Sequence, residues 1–160
     1  MEIAKARAIA DRVVGALAPY CWKSEIAGSI RRGKADVHDI DIVAIPNNQG
    51  QFYYALQQLG PVKGGKKTLK LTLPEISADI YIATPETYTT LVLIRTGSAR
   101  HNVMLCKMAR LMGMVLHADG RGLARPTNIY PDFEELIPCD TESDIFEALG
   151  LPYKEPHERE

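Results

Sequence analysis

Residues 27–44 read AGSIRRGKADVHDIDIVA, and this stretch decides the fold. Gly28-Ser29 close a short strand, KSEIAG (23–28), and a polar loop, RRGKADVH (31–38), follows. DIDIVAI (39–45) is a run of β-branched and apolar residues ended by Pro46-Asn47-Asn48, which predicts a strand. Asp39 and Asp41 are two apart, so on a strand both carboxylates point to one face and Ile40 to the other. Two carboxylates so placed repel each other, which costs stability unless a cation sits between them.

Working outward, EIAKARAIADRVVGALA (2–18) carries Ile3, Ala6, Ile9, Val13 and Leu17 at helical spacing and stops at Pro19. GQFYYALQQL (50–59) reads as a second helix, TLKLTL (68–73) alternates with period two, and SADIYIAT (77–84) is a third strand. The first half is therefore an α/β unit with a small mixed sheet. In the second half, ETYTTLVLIRTG (86–97) suits a buried helix, and Ser98 can cap SARHNVMLCKMARLMG (98–113). Met104, Leu105, Met108, Leu111 and Met112 are read as the apolar face of that helix, and Gly113 ends it. MVLH (114–117) is a short strand, the following Pro-rich stretch reads as irregular, and Thr141 caps a last helix, TESDIFEAL (141–149). The seam lies near Thr84-Pro85. The fold class is α/β (α+β): a mixed sheet flanked by helices over 1–84, and a small α+β subdomain over 85–160.

Composition limits the function classes. At 160 residues, with 46% hydrophobic and 24% charged residues, the chain has the make-up of a globular protein and neither a disordered nor a fibrous one. No apolar run approaches the roughly 18–20 residues of a membrane span, and the start does not read as a signal peptide, so an intracellular, cytoplasmic setting is expected. Cys21, Cys106 and Cys139 are odd in number and far apart, which suits reduced thiols. Residues 1–131 hold 17 Lys and Arg against 10 Asp and Glu, whereas 132–160 hold 2 against 10. A basic body with an acidic end fits a polyanionic partner, or a solvated surface beside an acidic C-terminal helix; charge alone leaves both open.

The chemistry comes from three features taken together: Gly28-Ser29, Asp39-Ile40-Asp41, and Asp79 inside ADIYI (78–82). An unpaired carboxylate in an apolar strand is costly, and if the two strands are neighbours the three carboxylates converge. Such an all-oxygen set suits Mg²⁺ or Mn²⁺. A Gly-Ser turn leading into a helix offers N–H groups and a hydroxyl to phosphate oxygens. These are parts for phosphoryl or nucleotidyl transfer assisted by two metal ions. By contrast, GPVKGGKK (60–67) lacks the Ser/Thr of a P-loop and precedes a strand, so it is set aside.

AGSIRRGKADVHDIDIVA resembles the nucleotidyltransferase signature of family X DNA polymerases. The likeness continues in order through GGKKTLKLTL (64–73), ADIYIATPE (78–86), LIRTGSARHN (93–102) and DTESDIFEALGLPYKEPHERE (140–160). It implies a catalytic palm over 1–84 and a nucleotide-binding, thumb-like subdomain over 85–160. Asp39 and Asp41 would hold both metals and Asp79 would complete the catalytic site, as ligand or proton acceptor. Gly28, Ser29 and Arg32 would hold the triphosphate, with Gly97 and Asn102 at the nucleotide's base or sugar. The implied reaction is DNA-directed: dNMP is added to a primer 3′-hydroxyl with two Mg²⁺ or Mn²⁺ ions and release of pyrophosphate. The setting would be short gap filling in repair, by a monomer acting alone or with a ligase or other repair partner. A template-independent terminal transferase, another nucleotidyltransferase and an inactive DNA-binding module are the alternatives.

Departures from the family pattern carry expectations of their own. Ile94 and Arg95 stand where the family has an aromatic pair that discriminates against a 2′-hydroxyl, so weaker exclusion of ribonucleotides is expected. His38 replaces a small residue and is read as contacting phosphate or packing in the loop. Cys106 replaces an arginine near the template, which suggests low fidelity. A lyase domain is not expected before the palm, leaving the grip on primer-template or gapped DNA to Lys63, Lys66, Lys67, Lys70 and Arg100, with Lys107, Arg110, Arg121 and Arg125 in support. Tyr20 and Trp22 are expected to pack beneath the strand, and His101 to face DNA.

Overall fold

A computed structural model describes residues 1–127 and 133–160. Ile3–Leu17 form α1, Cys21–Ile26 β1, and Gly28–Arg31 a single helical turn, α2. Ile40–Pro46 form β2, Gln49–Leu59 α3, Val62–Gly64 β3, Thr68–Thr72 β4 and Ser77–Ile82 β5. The five strands make one sheet in the order β1-β2-β5-β4-β3, parallel only between β2 and β5. The chain is thus mixed α and β, with a small mixed sheet among helices.

The period of two in β2 assigns its residues to two different environments. Ile40, Ile42 and Ala44 enter a core with Ala6, Ile9, Val13 and Leu17 of α1 and Phe52 and Leu56 of α3. Val43 and Ile45 face the other way, into a second cluster with Ala27, Ala83, Tyr88, Leu91 and Val92. The strand is apolar throughout because both faces are covered, and Asp41 is the polar interruption on the second face. Tyr88–Thr96 is α4, which supplies that cover. Its residues Leu91 and Val92 pack toward the sheet, whereas Leu93 and Ile94 enter a third cluster with Leu105, Leu123, Ile145, Phe146 and Leu149. A helix shared by two cores is buried on nearly every side, Thr90 and Thr96 included, which is why its sequence shows no clean amphipathic stripe.

Ala99–Leu111 is α5, its first turn capped by the Ser98 hydroxyl, which accepts from the His101 amide at 3.3 Å. The inward face of α5 is His101, Leu105 and Ala109, four residues apart; Met104 and Met108 are half-buried, and Leu111 and Met112 lie in solvent. The apolar face read from the sequence is therefore rotated about a sixth of a turn from the real one, because Ala109 and a buried histidine take inward positions that hydropathy does not assign to them. Val115–His117 (β6), Gly122–Pro126 (β7) and Glu134–Ile137 (β8) form an antiparallel sheet in that order. Part of the stretch read as irregular is thus β7 and β8; residues 128–132 between them lie outside the described residues. Glu142–Ala148 is α6, begun by a reciprocal capping box between Thr141 and Asp144. Among the described residues no helix is long and apolar enough to cross a membrane.

The acidic end of the chain folds back onto basic residues of the first half. The Glu142 carboxylate accepts from Arg31 at 2.9 and 2.7 Å and from Arg159 at 2.8 Å. Arg31 also reaches Thr96 at 2.8 Å and Glu25 at 3.0 Å. The Arg159 side chain is fully buried, donates from Nε to the Lys154 carbonyl at 3.0 Å, and lies over the rings of Phe146 and Tyr153. Glu160 pairs with Lys34.

Candidate active site

Where β2 meets β5 the parallel register sets Asp41 beside Asp79, and on the far side of β5 Lys70 of β4 lies opposite Asp79. Asp39 precedes β2 by one residue, in a bend, so the two-residue alternation of a strand does not by itself fix its direction. It nonetheless stands close enough for its charge to act on Asp41. The Asp41 carboxyl is pushed up to about 6, first by burial and then by repulsion from Asp39, with Asp79 adding to the rise. Against this, the Tyr81 hydroxyl donates to Asp41 Oδ1 at 3.2 Å, and Arg95 draws the carboxyl down. Lys70 Nζ lies 3.8 Å from Asp79 Oδ1.

Gly28 is required by this arrangement. Its φ of +59° places it in the left-handed region, and a Cβ there would lie 1.9 Å from Asp41 Oδ2. The backbone of α2 therefore presses directly on the carboxylate, bringing Ser29 and the free first-turn amides beside it. Ser29 Oγ is buried with no partner among the described residues. Arg32, at the end of α2, donates to the Thr96 carbonyl, and its Nε is also buried without a partner. Asn102 of α5 donates from Nδ2 to the Ile94 carbonyl at 2.8 Å, which leaves its buried Oδ1 unsatisfied. Orphaned polar atoms of this kind are costly in a finished core and ordinary in a pocket meant for a polar ligand.

These groups share one cleft of about 380 Å³ between the sheet and the α4–α5 corner. Gly28, Ser29, Arg32, Asp39 and Asp41 line it from the first half, and Gly97 and Asn102 from the second. His38, Tyr81, Ile94, Arg95 and Ala99 complete the wall, Arg95 lying 4.1 Å over the Tyr81 ring. Asp79 stands next to the cleft through its pairing with Asp41 and is not part of its wall. Among the described residues no three acidic, histidine or cysteine groups stand at the spacing of a finished metal cage. The donor set is nonetheless all carboxylate, shares one end of two neighbouring strands, and includes an Asp41 whose charge is poorly compensated, so it fits a hard divalent cation in kind.

Lys63, Lys66, Lys67 and Lys70 are exposed along the β3–β4 hairpin, with Lys63 directly opposite Lys70, and Arg100 is exposed on the first turn of α5. His101 does not face outward. It is 3% exposed, its ring 5.7 Å from Phe146, and burial, with the charges of Arg159 and Lys154, holds it neutral down to about pH 4. Trp22 does not pack under the strand: β1 has a bulge between Cys21 and Lys23, and the indole is 71% exposed. Tyr20, by contrast, packs partly against the first core. Tyr81 is the site residue that sequence reading passed over. Its place two residues after Asp79 on the same strand face was the available signal.

Residues 91–160 match the family model described as DNA polymerase beta thumb. Over 159 residues, taking in 83% of this chain, the sequence is 28% identical to DNA polymerase lambda of Rattus norvegicus. The alignment spans 28% of the length of that relative. The chain is thus similar to a fragment of a DNA polymerase, and its C-terminal part is similar to the thumb of the beta type.

Proposed function

We propose that this chain is a nucleotidyltransferase of the DNA polymerase type, which extends a primer 3′-hydroxyl with dNMP and releases pyrophosphate. Residues 1–84 act as the palm and 85–160 as the nucleotide-binding subdomain. One observation carries the reading: the phosphate-binding turn, Asp39 and Asp41, and the Gly97 and Asn102 corner line a single cleft although they come from distant parts of the chain.

In this reading the unpartnered Ser29 hydroxyl and the α2 amides receive the triphosphate oxygens. Arg32, tethered to the Thr96 carbonyl, sets its guanidinium against the departing charge. Asn102 offers Oδ1 to the base or sugar. Asp39, Asp41 and Asp79 would hold two Mg²⁺ or Mn²⁺ ions, whose chemistry would be to lower the pKa of the 3′-hydroxyl and offset phosphate charge. The 3′-oxygen forms its bond to the α-phosphorus as the bond to pyrophosphate breaks, and the proton passes to solvent or to the Asp79 carboxylate. Lys70 lies beside Asp79, and Lys63, Lys66 and Lys67 line the β3–β4 hairpin outward from it; together they meet the DNA phosphates, which makes binding steeply salt dependent.

The test is a labelled primer, alone or annealed across a one-nucleotide gap, offered each dNTP with Mg²⁺ or Mn²⁺ beside an Asp39→Ala control. Extension by the complementary nucleotide on gapped DNA, absent in the control, is expected. Extension of the lone primer by any nucleotide would identify a terminal transferase. No extension in any arm would overturn the reading.

A further inference from the structure

On the same face of the sheet, beyond Tyr81, a second cleft of about 440 Å³ runs between the C-terminal end of β2, the β3–β4 hairpin and the start of α4. Trp22 lies along one side, Lys66 and Lys67 on another, and Arg121 on the third. It meets the candidate active site through Tyr81 and Arg95, which line both. At its other end it shares Pro46, Gln49, Lys66 and Ile82 with an adjoining hollow that reaches Tyr53. Asp119 is the acidic residue of its wall, and its charge is taken by Arg121 at 2.8 Å.

A strand bulge turning an indole into solvent beside several cations has no use in packing. It has the composition of a track for an unpaired strand: a cationic floor for phosphates and an aromatic face on which a base can stack whatever its sequence. Resting on the polymerase reading of the neighbouring cleft, we propose that this second cleft binds single-stranded DNA continuous with the strand at the active site, with Trp22 as the stacking platform and Lys66 and Lys67 as phosphate contacts. Inside a duplex the base faces are already stacked on one another, so the ring selects an unpaired strand, while Lys66 and Lys67 can meet the phosphates of either form.

Trp22 is the single tryptophan of the chain, so its emission reports this site alone. The full chain is titrated with labelled oligo(dT) of roughly 12 nucleotides, within the range one such groove holds, and with an abasic oligonucleotide of equal charge. Label anisotropy and indole emission are followed together. Oligo(dT) quenches the emission and the abasic strand does not; Trp22→Ala weakens oligo(dT) about ten-fold without changing the abasic strand, and Trp22→Phe restores most of the loss. Lys66→Ala with Lys67→Ala lowers the salt dependence of both strands. Emission unchanged while anisotropy saturates, or equal oligo(dT) affinity for Trp22→Ala and the parent, would overturn the proposal. The two readings fail separately: Asp39→Ala abolishes extension and keeps the quench, whereas a parent that quenches without extending any primer retains this groove and loses the polymerase.

Discussion

Replacing Glu142 by alanine tests whether the acidic end of the chain is part of the fold. Glu142 is 10% exposed at its side chain and is shared by Arg31, 18% exposed, and Arg159, fully buried. Without it, two guanidinium groups lose their common partner, and among the described residues only Arg31 retains a second carboxylate, the half-exposed Glu25. Removing one member of a buried ion pair typically costs about 3–5 kcal/mol, because the remaining charge is left uncompensated. For a chain of this size that is a fall of about 6–20 °C in thermal midpoint. Burial pushes the Glu142 carboxyl up, but hydrogen bonds from Arg31 and Arg159 and their charges outweigh it, so it titrates below the usual range. A depressed folded pKa means stability that is complete above the unfolded pKa of about 4.3 and lost as the pH falls through the folded value. The gap between parent and Glu142→Gln, measured by urea unfolding, is therefore full at neutral pH and closes in acid. A cost below about 1 kcal/mol, no larger than that of the exposed Glu147→Ala, would refute the reasoning. Joint replacement of Arg31, Glu142 and Arg159 by Met, Leu and Met is expected to recover most of the loss, since the penalty lies in the orphaned charges.

Gly28→Ala abolishes primer extension and lowers the thermal midpoint, because its Cβ collides with Asp41 and its φ is positive; a variant with parental activity would show that the close approach is not needed. Ser29→Ala keeps its stability within about 0.5 kcal/mol, since the hydroxyl has no partner to lose among the described residues, while turnover falls about 10²–10³-fold; single-turnover extension reads this. Asp41→Asn is inactive yet melts higher than the parent in EDTA, because the buried, repelled charge is gone; added Mg²⁺ raises the melting point of the parent and not of the variant. With Ile94 buried and Arg95 drawn over Tyr81, ribonucleotides are incorporated beside deoxyribonucleotides; strong rejection in a side-by-side assay would refute that expectation.

The parts legible in the sequence were those where one residue pattern answers one physical demand. β2 was visible because an apolar run interrupted only by Asp41 has no other use, and α6 because Thr141 and Asp144 spell out a capping box. The carboxylates and Gly28-Ser29 drew notice because their placement is costly without a ligand, and the structure brings Gly28, Ser29, Asp39 and Asp41 to one cleft with Asp79 paired beside Asp41. What escaped notice depends on contacts between distant residues. β3, β7 and β8 are three to five residues long, and their pairing is supplied by neighbours. The inward turn of His101 depends on Phe146 and the outward turn of Trp22 on a bulge, neither of which a local pattern encodes. The charge split between the halves left a polyanion and a solvated surface both open; part of the acidic end is engaged within the chain, by Arg31, Arg159 and Lys34.

The joint of Arg31, Glu142 and Arg159 also bears on the order in which the chain assembles. Arg31 and Glu142 are 111 residues apart in a chain of 160, so their meeting closes about two thirds of the chain into a loop. The entropy of such closure is lost before the contact returns anything, and both cores must already be in place for the three side chains to be dry. The joint is therefore expected to form late, after the rate-limiting step. On that expectation, Glu142→Gln leaves the folding limb of a urea chevron almost unchanged and raises the unfolding limb, so this small ionic cluster sets how long a folded molecule stays folded.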